Sequence, residues 1–133
     1  MSNNVRLKNY LGLVLLLIVV SFTVWVRFRL LDVPLERDEG EYGYAGQLIL
    51  RGEYPYDKLY SAKMPGVYAV YAVIMAVFGQ TQGAIRLGLL IINTATVFLM
   101  FLLGRKLLNQ LGGVAAAAAF ALLSLGLFVQ GVF

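Results

Sequence analysis

Asp38, Glu39 and Glu41 follow one another closely in the stretch RDEGEYGYAG (residues 37–46), with Tyr42 and Tyr44 beside them and Lys63 further along. Carboxylates of this kind can take a proton from a hydroxyl group, and a lysine ammonium can hold a departing phosphate as a compact point charge. Grouped carboxylates can also hold a divalent cation through oxygen ligands. The chain has no cysteine and no histidine, which removes disulfides, thiolate zinc sites, cysteine or histidine nucleophile pairs and imidazole bases. Any chemistry must therefore use Asp, Glu, Tyr, Lys or Arg.

The same residues have plainer readings. Asp38 sits where a helix can start, with Glu41 at the capping-box distance, and a cap of this kind contributes about 1 kcal/mol. Glu39 and Glu41 are also favourable near the positive end of a helix. Lys63 reads as an interfacial lysine whose stem lies along apolar surface, and Arg86 as a membrane anchor at a helix end. Tyr42, Tyr44, Tyr54, Tyr56, Tyr60, Tyr68 and Tyr71 read mostly as an aromatic belt, in which one or two rings could stack on a sugar.

The elements that carry these residues belong to a membrane protein. Of the 133 residues, 60% are hydrophobic and 14% charged, against about 45–50% and 25% in soluble domains, and the mean hydropathy is +0.78. Each crossing takes roughly 20 residues, so the chain has room for three or four and for no large soluble core. Its formal charge of +4 is spread along the sequence without a compact basic run, which argues against a nucleic-acid partner.

Residues 10–28 form the first expected crossing. They follow Arg6 and Lys8, run longer than the apolar part of a signal peptide and lack a small-residue cleavage site, so they read as a retained anchor. The polar loop, residues 29–82, comes next, and all seven acids (Asp32, Glu36, Asp38, Glu39, Glu41, Glu53, Asp57) lie close together there. Within it, a short amphipathic helix starts near Asp38, buries a face bearing Tyr42, Ala45 and Ile49, and stops at Gly52. Pro65 opens a second helix that runs to Phe78, too short to span before Gly79 interrupts it and better suited to the membrane interface. Residues 84–104, ahead of Arg105 and Lys106, form the second crossing, where Asn93 and Thr94 are expected to bond between helices. Residues 111–133 form the third, and Gly112, Gly113 and the run Ala115–Ala119 suit close helix approach. The expected fold class is thus all-α, with about three transmembrane helices and two in-plane juxtamembrane helices. Counting basic residues does not orient it, because the polar stretch from Arg27 to Lys63 itself holds six Lys or Arg.

Residues 37–88 resemble the first extracytoplasmic loop and following helix of GT-C glycosyltransferases, in particular bacterial relatives of the dolichyl-phosphate-mannose protein mannosyltransferases and of the lipid A aminoarabinose transferase. The resemblance rests on an acidic pair followed by tyrosine (Asp38, Glu39, Tyr42), a helix ending near LRGEYPY, a lysine before proline (Lys63, Pro65), and Phe78-Gly79 ahead of Ile85, Arg86 and Leu87. It implies an extracytoplasmic loop, a cytoplasmic N-terminus and a place in the inner (plasma) membrane. The implied donor is a sugar on a polyprenyl phosphate, and the implied acceptor a lipid, glycan or protein at the outer face. Asp38 then matches the first acid of the motif and is the candidate base, while Lys63 is the candidate for the lipid phosphate. Glu39, Tyr42 and Arg86 are expected to bind substrate, Glu39 by orienting the acceptor, tuning Asp38 or helping to hold a divalent cation. Many relatives carry an acid and then Lys-Pro-Pro, whereas Ala62 and Met64 flank Lys63 in this chain, so the role of that acid does not carry over. The family uses around a dozen crossings, and the chain is accordingly expected to be the N-terminal part of a longer or split protein. Two other readings remain beside it: a small non-enzymatic multi-pass membrane subunit or assembly factor, and a transporter fragment, which the lack of charge inside the crossings disfavours.

Overall fold

The computed structural model describes residues 2–31 and 33–125. Asp32 of the acidic loop, the side chains of Arg6 and Lys8, and residues 126–133 of the third expected crossing lie outside the described residues. The described chain is all-helical: α1 (Ser2–Arg29), α2 (Arg37–Leu50), a 3-10 turn (Pro55–Asp57), α3 (Pro65–Phe78), α4 (Gln82–Leu107) and α5 (Gln110–Ser124), with no strand among the described residues. Two of these helices, through Tyr10–Arg29 and Gln82–Leu107, are long and apolar enough to cross a membrane. At 1.5 Å per residue, α3 and the described part of α5 reach only about 21–23 Å, short of the roughly 30 Å hydrocarbon core.

Local chemistry accounts for the helix ends. The start of α2 differs from expectation: Glu36, in extended conformation, is the cap residue, and its N–H donates to the Glu39 carboxylate at 3.1 Å. Asp38 therefore lies inside the first turn. The capping-box relation falls two residues earlier than Asp38 and Glu41 because Glu36 and Glu39 have the same spacing and Pro34 already forces the preceding chain out of helix. At the other end Gly52, with φ of 75°, donates to Ile49 O and the next N–H, of Glu53, to Leu48 O, so the last carbonyls are closed as anticipated. Pro65 opens α3, where its missing N–H has no helical partner to lose, and Gly79 ends it with φ of 98°. The Thr81 hydroxyl accepts from the Ala84 N–H to start α4, and Asn109 accepts from Gly112 N–H to start α5.

The described chain divides into two compact units, one comprising residues 2–29 and 90–125, the other 30–31 and 33–89. In the first, α1 packs on α5, and Leu16, Val97, Phe101, Val114, Ala117 and Ala121 form the buried cluster. Small residues let the backbones of α4 and α5 approach: a Cβ built on Gly113 would lie 2.6 Å from Phe101 O, and one on Gly104 2.9 Å from Gly112 O. Arg27, near the end of α1, is buried and donates to Ser124 O and Oγ. Thr94 does not bond between helices either. Its hydroxyl turns back to Leu90 O at 2.8 Å, the partner nearest to hand in its own helix, and Asn93 Oδ1 has no hydrogen bond among the described residues.

In the second unit α2 packs on α3, and Tyr71, Ile74, Met75, Ile85 and Leu89 form the core. The buried face of α2 includes Ala45 and, in part, Tyr42 as expected, but not Ile49. Ile49 is exposed, and Glu39, Gly43, Gly46 and Leu48 turn inward with Ala45. Gly46 explains the difference, since a Cβ there would meet Ala72 N at 3.0 Å and Tyr71 C at 3.2 Å. The two helices touch backbone to backbone at that point. Tyr68 and Tyr71 belong to this core rather than to a surface belt.

Candidate functional site

Helix α2 turns by about 100° per residue, so Asp38, Glu41 and Tyr42 share one face while Glu39, Gly43 and Gly46 share another. The candidate residues are accordingly sorted into two groups. Lys63 comes to the first face from the segment leading into α3, and its Nζ lies 3.0 Å from Asp38 Oδ1 and 3.7 Å from Glu41 Oε2. It also stands 4.6 Å from the centre of the Tyr42 ring, within reach of a cation–π contact. Removal from water works against the charge on Lys63, but its bonds to Asp38 and Tyr42 outweigh this and raise its pKa. It is thus a firmly charged ammonium. The Asp38 side chain is 52% exposed, so the cluster opens to solvent.

Glu41, Ser61, Tyr56 and Tyr68 complete this group; Glu41 was expected only as a capping residue, Tyr56 and Tyr68 only in an aromatic belt, and Ser61 carried no expectation. The Tyr68 hydroxyl lies 2.9 Å from both Glu41 Oε1 and Ser61 Oγ. Hydrogen bonds from Ser61 and then Tyr68, with the nearby Lys63 charge, hold the Glu41 carboxylate below its ordinary pKa. Tyr56 donates to Lys63 O, and its ring sits 5.5 Å from Tyr54 and 5.7 Å from Tyr68. The segment carrying Lys63 is therefore tied to α2 and α3 by hydroxyls as well as by charge. The available signal was the spacing: Glu41 falls one turn after Asp38, and so on its face.

Glu39 and Arg86 form the second group. Their side chains are 0% and 3% exposed, and Arg86 Nη2 lies 3.1 Å from Glu39 Oε2 and 2.9 Å from Pro34 O. This replaces the reading of Arg86 as a surface anchor. The pair is withdrawn from solvent, joining the first turns of α2 and α4 to the Pro34 segment, and offers little surface to a bound molecule. Burial raises the Glu39 pKa, with the Glu36 carboxylate adding, while the Glu36 N–H and Arg86 pull it down.

A divalent cation does not fit these residues. Two carboxylates, Asp38 and Glu41, face the cluster, and the Lys63 ammonium stands between them. No group of three or more Asp or Glu side chains suited to a metal occurs among the described residues. Next to the cluster, Tyr56, Leu59, Tyr60, Ser61 and Ala62 line an open cavity of about 320 Å³. The arrangement can pair a solvent-facing carboxylate with a fixed ammonium at one mouth, which is the equipment for taking a proton from a hydroxyl beside an anionic group. The chain matches no protein-family model, no curated protein and no solved structure.

Proposed function

We propose that this chain is the N-terminal part of a GT-C type glycosyltransferase, which moves a sugar from a polyprenyl-phosphate donor to an acceptor at the extracytoplasmic membrane face. The observation that carries the reading is the meeting of Asp38 and Lys63 at 3.0 Å, two residues far apart in sequence that the motif resemblance had assigned to the two halves of one reaction. The Asp38 carboxylate takes the proton of the acceptor hydroxyl as its oxygen bonds to the anomeric carbon. The bond from that carbon to the phosphate oxygen breaks, and the phosphate leaves with the electron pair toward Lys63, which has a third N–H donor beyond those facing Asp38 and Glu41. Tyr42 flanks the ammonium. Glu39 and Arg86 act here as positioning residues, holding the start of α2 so that Asp38 meets Lys63. In this reading α1, α4 and α5 cross the inner membrane with the N-terminus cytoplasmic, and α2 and α3 lie in plane at the outer surface.

The test is transfer of labelled sugar from a polyprenyl phosphate in membranes whose chromosomal copy encodes wild-type chain or Asp38→Asn. Loss of transfer with normal membrane insertion is expected; wild-type turnover in the variant removes Asp38 from the reaction. The ion pairs from Lys63 to Asp38 and Glu41 also favour a second reading, a non-enzymatic membrane subunit whose polar loop is latched by them. Under that reading Asp38→Asn leaves transfer untouched and alters only co-purification with a partner.

A further inference from the structure

The cavity beside the ion cluster has features that neither the base nor the phosphate ligand requires. One wall is the Tyr56 ring, held in place by Tyr54 and Tyr68 on either side and by its own hydroxyl's bond to Lys63 O. The Tyr60 ring is fully exposed, with no hydrogen bond or ring contact among the described residues, although a tyrosine in a folded protein normally covers part of its apolar surface. Residues 59–62 are neither helical nor strand, and the backbone N–H and C=O groups of Tyr60 and Ala62 have no hydrogen-bond partner among the described residues. A fixed ring, a free ring and the residues Leu59, Ser61 and Ala62 thus line a space of about 320 Å³, at the small end of ligand pockets.

We propose that this cavity binds one pyranose ring, with the apolar C–H face of the sugar against Tyr60 and its hydroxyls on the free backbone groups of Tyr60 and Ala62. The chemistry fits a sugar better than a purely apolar molecule, because stacking leaves the ring's edge hydroxyls in need of donors and acceptors, which the unpaired backbone supplies. Ser61 lines the cavity and also bonds Tyr68, and its Oγ accepts from the N–H of Lys63 at 3.3 Å. A ring held there lies alongside the Asp38, Glu41 and Lys63 cluster. That the ring is the acceptor rests on the transferase reading; that it binds does not.

Saturation-transfer NMR of the whole chain in nanodiscs, with methyl pyranosides as probes and no polyprenyl phosphate present, tests the binding. Saturation of the ring protons is expected, lost or weakened roughly tenfold in Tyr60→Ala, on the scale of a lost aromatic contact. Gly40→Ala, in open space on α2, is expected to leave it unchanged, and because no donor is present the binding outcome is read separately from transfer. Ala62→Trp, which fills the cavity from an exposed position, is expected to abolish the signal without unfolding the chain. No saturation of any pyranoside, equal saturation of cyclohexanol, or a signal indifferent to both Tyr60→Ala and Ala62→Trp overturns the proposal. So does magnetisation passing from lipid to Tyr60 with no response to sugar, which marks the ring as a membrane anchor.

Discussion

Arg86→Met probes the buried pair at the base of α2. Arg86 donates to Glu39 Oε2 at 3.1 Å and to Pro34 O at 2.9 Å, and Glu39 is fully buried. Without Arg86 the Glu39 carboxylate keeps its bond from the Glu36 N–H but loses its counter-charge, and breaking a buried pair from one side costs about 3–5 kcal/mol. The double variant Glu39→Leu/Arg86→Met removes both charges. It gives up the Glu36 N–H bond, worth about 1 kcal/mol, so most of the single-variant loss is expected to return. Denaturant titration of the purified chain in detergent, followed by circular dichroism and by hydrogen exchange over residues 37–50, measures both. The pH dependence adds a sign. Burial raises the folded-state pKa of Glu39 above the ordinary 4.5, with the Glu36 carboxylate adding, against the Glu36 N–H and Arg86. The folded chain then holds this proton more tightly than the unfolded one, and stability falls as pH rises from the unfolded value through the folded one. Removing Arg86 removes a lowering influence, so the Arg86→Met penalty is larger at about pH 8 than at about pH 4. Burial, with the Glu39 charge adding, raises the Tyr71 pKa and keeps that hydroxyl neutral across the window. An Arg86→Met chain within about 0.5 kcal/mol of wild type, or a double variant no more stable than the single, refutes the reasoning.

Tyr68→Phe removes one of the hydroxyls bonded to Glu41 and is expected to cost about 1–2 kcal/mol while speeding hydrogen exchange across residues 52–64; unchanged exchange there counts against the latch. Gly46→Val places atoms where Ala72 N and Met75 Cε already lie and is expected to lose about 1–3 kcal/mol from the α2 and α3 pairing, read as a lower unfolding midpoint, whereas Gly40→Ala, with open space around it, is near neutral. Gly113→Val meets Phe101 O in the same way and is expected to separate α5 from α4, seen as increased protease access to the turn at residues 108–109.

Much of the local architecture is legible in the order of the residues. The apolar runs around residues 10–29 and 82–107, the stops at Gly52 and Gly79 and the start at Pro65 depend on side-chain polarity and on backbone freedom within a few residues, and these act before any long-range contact forms. Three neighbouring acids, by contrast, look alike on the page. Asp38 and Glu41 came to face solvent and Lys63, and Glu39 came to lie buried against Arg86, only because α2 sets its Gly46 backbone against α3 and so chooses which side of the helix turns inward. The same packing drew Tyr68 and Tyr71 into the core. Sequence sets the local rules of helix and turn; the roles of identical side chains follow from a rotation that only packing against another helix can fix.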